Sequence, residues 1–446
     1  MWNIKDIAKF TNKNFNKNIK ISGILIDSRK IKKNNIFIAI KGNISDGNHH
    51  INNAIKNGGL ICISDNKNYL IKRNKNIVLV RNSYMFLYQI AKLRRKQLSA
   101  KVVGITGSSG KSSTKEFLKF ILKHFNVTFS SQKNYNNNLG ITLSLANTPI
   151  NSIYCIYELG MNSINEIKYL SRLINPQISI ITNVFEVHSK FFSSFSQITK
   201  NKAKIIEGMV KNGLCIIKNS HYERNIILLA KKKNFRIFTF GKKSDCFFIK
   251  QNNSLIECEL ISLFNKKILI RFQEKFPEHM RCNFLAVIIC LNLIKINITI
   301  AKHSFQNIAS IIGRGKIIKI KNVTIVDESY NSNPNSLQTS IEHINKIKKT
   351  YNRLIAIIGD MNDLNNKTID THRNIKTYGI NKLFCVGQLS CFLYQNVNKK
   401  IRGFYCKKSQ EINKIIIGYI KTNDLILIKG SKFIQMEFIT EKLKNL

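Results

Sequence analysis

The sequence predicts an α/β protein of three domains: a small N-terminal α/β domain, a central parallel sheet carrying a phosphate-binding loop (P-loop), and a C-terminal Rossmann-like α/β domain. Three observations carry this expectation. The chain has 446 residues, and at about 150 residues per domain that length divides naturally into three. Short apolar runs alternate with helix-length segments, the pattern of a mostly parallel sheet with crossover helices. One apolar run leads into a glycine-rich loop that opens directly into a helical segment, an arrangement that cradles phosphates.

In the first block, 1–99, the runs Ile36–Ile40 and Ile77–Val80 alternate with Asn, Gly and Asp turns, as short strands of a small domain do. In the second, 100–313, Val102–Ile105, Ile153–Ile156 and Ile178–Thr182 each feed a helical pattern. The third, 314–446, opens after Gly313-Arg314-Gly315 with Val323–Val326 and continues through Leu354–Ile358, Lys382–Val386 and Leu425–Ile428. Four prolines are too few for a proline-rich linker, and no internal repeat is evident.

Composition excludes several classes. Hydrophobic residues make up 43% of the chain, which rules out wholesale disorder. The longest apolar stretch, Leu285–Ile294, is broken by Asn292 and falls short of the ~18 residues of a membrane span. The N-terminus has no apolar signal core, and the ten cysteines are scattered with no C-x-x-C pair. A cytoplasmic protein with reduced thiols and no membrane insertion is expected. The net charge of +47 invites a nucleic-acid reading. However, the 72 basic residues are 58 Lys and 14 Arg, spread evenly beside heavy Asn and Ile usage. Those three residues share A/T-only codons, so compositional drift explains them together, and no nucleic-acid partner is expected.

The strongest local signal is Gly104-Ile105-Thr106-Gly107-Ser108-Ser109-Gly110-Lys111-Ser112-Ser113, between an apolar strand and the helical run Glu116–Leu122. Backbone N–H groups of residues 107–113 at a helix N-terminus would bind phosphate oxygens. Lys111 would reach the β- and γ-phosphates, and the Ser112 hydroxyl would ligate Mg²⁺. The strict Walker spacing places its first glycine at 105, which is Ile here.

This compact loop resembles that of the Mur ligases, ATP-dependent amide-forming enzymes of peptidoglycan precursor synthesis. Further segments follow in the family's order. Asn134-Tyr135-Asn136-Asn137-Asn138 is similar to its Asn-rich segment, with Asn134 and Asn137 as substrate contacts. Glu158, closing a strand, would ligate Mg²⁺, and Thr182-Asn183 followed by His188 looks like an element whose His meets a second Mg²⁺. Lys202 falls where the family carries a carbamylated lysine that holds that metal. The resemblance thus implies catalytic roles for Lys111, Glu158, His188 and Lys202, with Ser112, Glu158, His188 and Lys202 as the metal set.

In the C-terminal block, Asp327-Glu328-Ser329-Tyr330-Asn331-Ser332-Asn333-Pro334 resembles the signature of the branch that adds D-alanyl-D-alanine to UDP-N-acetylmuramoyl-tripeptide. Gly359-Asp360-Met361-Asn362-Asp363-Leu364, His372 and Lys429-Gly430-Ser431-Lys432 continue that pattern. The resemblance implies that Arg314 contacts an ATP phosphate on closure, that Asp327 or Glu328 holds the ribose, and that Tyr330, Asn331 and Asn333 shape the dipeptide pocket. In the N-terminal block, Asp27-Ser28-Arg29 and Ser45-Asp46-Gly47 lie where the family binds the UDP end of its substrate. Ser28, Asp46 and Gly47 would offer hydroxyl and backbone donors there, and Arg29 its fork. The implied cofactors are ATP and Mg²⁺, the implied reaction passes through an acyl phosphate, and a monomer is expected.

Departures from the family pattern are Met161-Asn162-Ser163, Glu328 for a common second Asp, Met280 for an Asn after His279, and Lys204 for a Glu. Another Mur-type or folylpolyglutamate-type ligase would share the loop but lack Tyr330-Asn331-x-Asn333-Pro334. A nucleic-acid-binding ATPase would need a clustered basic face with interleaved aromatics.

Overall fold

The computed structural model describes residues 2–11, 19–42, 45–70, 75–132, 135–185, 192, 194–249, 258–271, 278–306, 313–361 and 368–444. Among these, three main sheets follow one another along the chain. The first has four parallel strands, Gly23–Leu25, Asn35–Ile38, Ile61–Ser64 and Ile77–Leu79, in sequential order. Its two central strands are buried throughout, which is why they read as unbroken apolar runs rather than alternating ones.

The second sheet has nine strands. Its parallel centre places Lys101–Thr106 between Tyr154–Glu158 and Ile178–Ile181. Thr128–Ser130 lies outside the former, and Leu214–Lys218, Arg236–Phe240 and Cys246–Phe248 extend beyond the latter. Cys258–Leu263 and Lys266–Arg271 add an antiparallel edge, a hairpin absent from the sequence expectation. From the central strand the chain crosses first to one side and later to the other. Such a switch point opens a crevice at the strand carboxyl ends, and Thr106, Glu158 and Thr182 all arrive there.

The third sheet runs Lys316–Ile320, Val323–Glu328, Asp424–Lys429, Arg353–Gly359, Lys382–Val386, Arg402–Cys406, with only the first strand antiparallel. Separate apolar clusters cover its two faces, one around Leu337, Ile341 and Leu383 and the other around Ile412, Ile416 and Ile439.

The first two sheets are joined differently from the third. One continuous apolar cluster runs from Trp2 and Ile36 through Leu87 and Ile141 to Ile205. Across that junction Asn147 accepts from the Ile24 backbone N–H at 2.8 Å and donates to its carbonyl at 2.8 Å, replacing a neighbouring strand. The Trp2 indole donates to the Ala146 carbonyl at 2.7 Å, while the buried Arg94 guanidinium lies 3.7 Å from its ring centre. Among the described residues no helix is long and apolar enough to cross a membrane.

Candidate active site

The strand Lys101–Thr106 ends at Gly107, and the helix Lys111–Lys123 begins after Gly110. Both loop glycines are required. At Gly107 (φ 150°) a Cβ would lie 1.9 Å from the Thr182 hydroxyl, and at Gly110 (φ 80°) it would lie 2.4 Å from the Asn283 amide. The loop is braced from the next strand: the Ser108 N–H donates to the Asn183 carbonyl (2.9 Å), and the Ser109 N–H to Asn183 Oδ1 (2.8 Å). Thr182 Oγ1 donates to the Ser109 carbonyl at 2.5 Å. Thr182-Asn183, expected only to lead toward His188, is therefore the scaffold of the phosphate loop.

Lys111 Nζ folds back onto the Gly107 carbonyl at 2.7 Å. Burial lowers its pKa, partly offset by Glu158 and reinforced by Arg314. Ser112 Oγ donates to Glu158 Oε2 at 2.7 Å. Burial pushes the Glu158 carboxyl up, but Lys111, Lys115 and Ser112 outweigh it and keep its pKa below the usual value. Two further partners of Glu158 escaped the sequence reading. Lys115, fully buried, sits 3.6 Å from Oε2 and donates to the Ser131 carbonyl at 2.9 Å. Asn136 Nδ2 approaches Oε1 at 3.3 Å. The available signal for Lys115 was its place on an otherwise apolar or small-residue helix face with Thr114 and Leu118.

Lys202 is fully buried on the helix Phe195–Ala203, and among the described residues its Nζ has no hydrogen-bond partner. Burial first, and the Lys111 charge second, hold its pKa well below the usual lysine range. Desolvation of this kind favours the uncharged form of the amine. The paired oxygens of Ser112 and Glu158 are hard donors of the kind that fits Mg²⁺, whereas Lys202 is not among the residues that line the cleft beside them. His188 and Asn134 lie outside the described residues.

Opposite the loop, across a cleft of about 520 Å³, stand groups of the third sheet. Arg314, Glu328, Tyr330, Asn331 and Asn333 all line it, as do His279 and Lys429. Glu328 is buried; Lys429 Nζ donates to its Oε2 at 2.8 Å and Ser340 Oγ at 2.5 Å. Burial pushes this carboxyl up, but Lys429 and His279 overcome that and hold it down at about 2. Its Oε1 is left without a partner among the described residues.

Several expected contacts are placed otherwise. Asp327 does not line the cleft; its oxygens accept from the Gly313 N–H (3.0 Å), the Ser329 N–H (3.1 Å) and Thr440 (3.3 Å). The ribose expectation therefore passes to Glu328 with its unpartnered oxygen. Asn137 caps the helix Asn138–Ala146 by accepting from the Gly140 N–H at 2.8 Å. Arg29 spends its fork on Asp27, with both contacts at 2.9 Å, and so is not held toward a diphosphate. Ser28, Asp46 and Gly47 belong to the four-stranded unit rather than to this cleft. Asp46 accepts from the Asn48 N–H at 2.9 Å, and a Cβ at Gly47 would lie 2.6 Å from the Ile40 nitrogen.

Comparison with known proteins agrees with this geometry. Family models match in three places: "Mur ligase family, catalytic domain" over 20–95, "Mur ligase middle domain" over 105–291, and "Mur ligase, glutamate ligase domain" over 313–432. The chain is 30% identical to UDP-N-acetylmuramoyl-tripeptide--D-alanyl-D-alanine ligase of Rickettsia prowazekii, covering 99% of each chain. It is 31% identical to the protein of that name from Buchnera aphidicola subsp. Baizongia pistaciae, covering 95% of this chain and 93% of that one. In fold it is similar to MurF from Acinetobacter baumannii (TM-score 0.87, 22% identity, 100% and 99% covered). It is also similar to MurF ligase from Thermotoga maritima in complex with ADP (TM-score 0.82, 22% identity, 95% and 97% covered). With the phosphate loop, its buried lysines and the facing arginine all in place, the chain belongs to the Mur ligase family.

Proposed function

We infer that this protein is an ATP-dependent amide ligase that joins D-alanyl-D-alanine to UDP-N-acetylmuramoyl-tripeptide, giving the UDP-linked pentapeptide. The observation that carries the reading is the pairing of two half-sites across one cleft. Lys111, Ser112 and Glu158 stand on the phosphate-loop side, and Arg314, Glu328 and the Tyr330–Asn333 turn face them. The tripeptide's terminal carboxylate oxygen bonds to the γ-phosphorus as the β–γ bridging bond breaks, releasing ADP. The dipeptide amine then attacks the acyl carbon, and phosphate and one proton leave. Phosphoryl transfer asks the protein mainly for alignment and charge neutralisation. Lys111 and Arg314 supply positive charge at the phosphates, loop N–H groups of residues 107–113 hold their oxygens, and Glu328 Oε1 accepts from the ribose. Mg²⁺, held by Ser112, Glu158, His188 and carbamylated Lys202, would neutralise phosphate charge when bound.

In this reading, 1–99 holds the UDP end through Ser28, Asp46 and Gly47, 100–313 binds ATP, and 314–446 closes over it and takes the dipeptide through Asn331 and Asn333. Asn134 borders the tripeptide. The protein acts as a cytoplasmic monomer with no nucleic-acid partner. Phosphate release measured with ATP, UDP-N-acetylmuramoyl-tripeptide and D-alanyl-D-alanine, each omitted in turn, tests the reading. Turnover that needs all three is expected; turnover indifferent to the dipeptide, or stimulated by nucleic acid, overturns it.

A further inference from the structure

Arg314 sits in the short Gly313-Arg314-Gly315 segment that leads into the C-terminal sheet, and its setting is unusually fixed. The Gly313 N–H donates to Asp327 Oδ2 at 3.0 Å, and the Gly315 N–H donates to the Asp327 carbonyl at 2.7 Å. The Tyr330 N–H donates back to the Gly313 carbonyl at 3.0 Å. Both glycines have positive φ, 75° and 88°, and a Cβ at Gly313 would lie 3.0 Å from the Tyr330 backbone nitrogen and Cβ. The chain on either side of Arg314 is thus pinned to the end of the strand Val323–Glu328. Its guanidinium then lies 3.9 Å from the centre of the Tyr330 ring. A planar cation on an aromatic face is held in direction as well as attracted. That direction is into the cleft, where the Arg314 charge is felt at both Lys111 and Glu158.

We propose that Asp327 and Tyr330 form a cradle that aims Arg314 at the nucleotide phosphates, Asp327 through the backbone and Tyr330 through its ring. Both are positioning residues, not ribose or dipeptide contacts. The proposal rests on the reading of Arg314 as a phosphate contact. It adds that an arginine on a long, flexible side chain must be pre-aimed if closure of the third sheet is to present it without searching.

The test compares Tyr330→Leu and Tyr330→Phe, each alone and combined with Arg314→Ala. Affinity for a non-hydrolysable ATP analogue is measured by calorimetry, and KM is measured for ATP and for D-alanyl-D-alanine. Tyr330→Leu is expected to weaken analogue binding and raise KM for ATP about ten-fold, leaving KM for the dipeptide within about two-fold. Tyr330→Phe, which keeps the ring face, restores both, and Tyr330→Leu adds nothing once Arg314 is alanine. Asp327→Asn, which weakens the Gly313 clamp, should move the same two quantities. If Tyr330→Leu fails to fold, Tyr330→Met repeats the comparison. A raised dipeptide KM with unchanged ATP affinity overturns the proposal, as does an ATP effect that persists without Arg314. Unchanged analogue binding in Arg314→Ala alone overturns the phosphate contact itself and the cradle with it. Calorimetry decides this whether or not the ligase reaction is observed.

Discussion

Lys111 and Lys202 are two of 58 lysines, and what sets them apart is their surroundings: Lys111 stands in the phosphate loop at the cleft, and Lys202 is fully buried without a hydrogen-bond partner for its Nζ among the described residues. Lys111 is tethered to the Gly107 carbonyl within its own loop, so Lys111→Ala should leave the fold intact while abolishing ATP-dependent phosphate release. Full activity in that variant would remove the phosphate-loop assignment. Lys202 is proposed to take up CO₂ as a carbamate, and burial, by lowering its pKa, favours the uncharged amine which that step needs. Lys202→Ala should lose activity and regain part of it on addition of short carboxylates that replace the carbamate oxygens. Normal activity without them would take Lys202 out of the metal site. At this scale the sequence was legible wherever a residue type was demanded by local backbone, as at Gly107 and Gly110. It was misleading wherever a polar side chain had a choice of partners. Asn137 serves its helix, Asp327 the Gly313 backbone and Arg29 its neighbour, because a nearby N–H or carboxylate competes for each. Only the tertiary arrangement decides such contests.

Among the elements, the parallel strands were legible because burial on both faces leaves only apolar runs, and Lys382–Val386 matches its expected span. The antiparallel hairpin Cys258–Arg271 was not, since Lys266, Lys267 and the Phe264-Asn265 turn break its apolar pattern. The helix Pro334–Ile347 starts on an Asn333 cap whose side chain accepts from the Ser336 N–H at 2.8 Å. Asn333→Ala should cost about 1 kcal/mol by loss of that cap, read in denaturant unfolding, before any loss of dipeptide binding is counted. The same helix carries His343, which faces His279, Glu328, Arg281 and Lys346. Burial, then the His279 charge, depresses its pKa from an ordinary 6.5 to about 4. A histidine held neutral in the folded state takes up its proton more readily when unfolded. Its contribution to stability is therefore full above pH 6.5 and declines as pH falls toward 4. Unfolding free energy should drop across that window, and His343→Gln should flatten the slope.

For the whole molecule, the distribution of cores matters more than the charge of +47. The first two sheets share an apolar cluster, whereas the third is enclosed by its own two. Scanning calorimetry should therefore show two transitions. A bound ATP analogue, touching both walls of the cleft, should raise both and draw them together; a single transition without nucleotide would contradict this division. The surplus lysines are mostly background to that architecture, although their field favours the approach of anionic ATP and UDP-linked substrates. One element of the shared core has a practical consequence. Trp2 is the chain's single tryptophan, wedged between Arg94 and the Ala146 carbonyl at the seam of the first two sheets. Its fluorescence is thus a native optical gauge of that seam alone: it should shift to longer wavelength when the N-terminal unit lifts away. It should stay dark to movements of the C-terminal unit, so the two motions can be followed separately without a label.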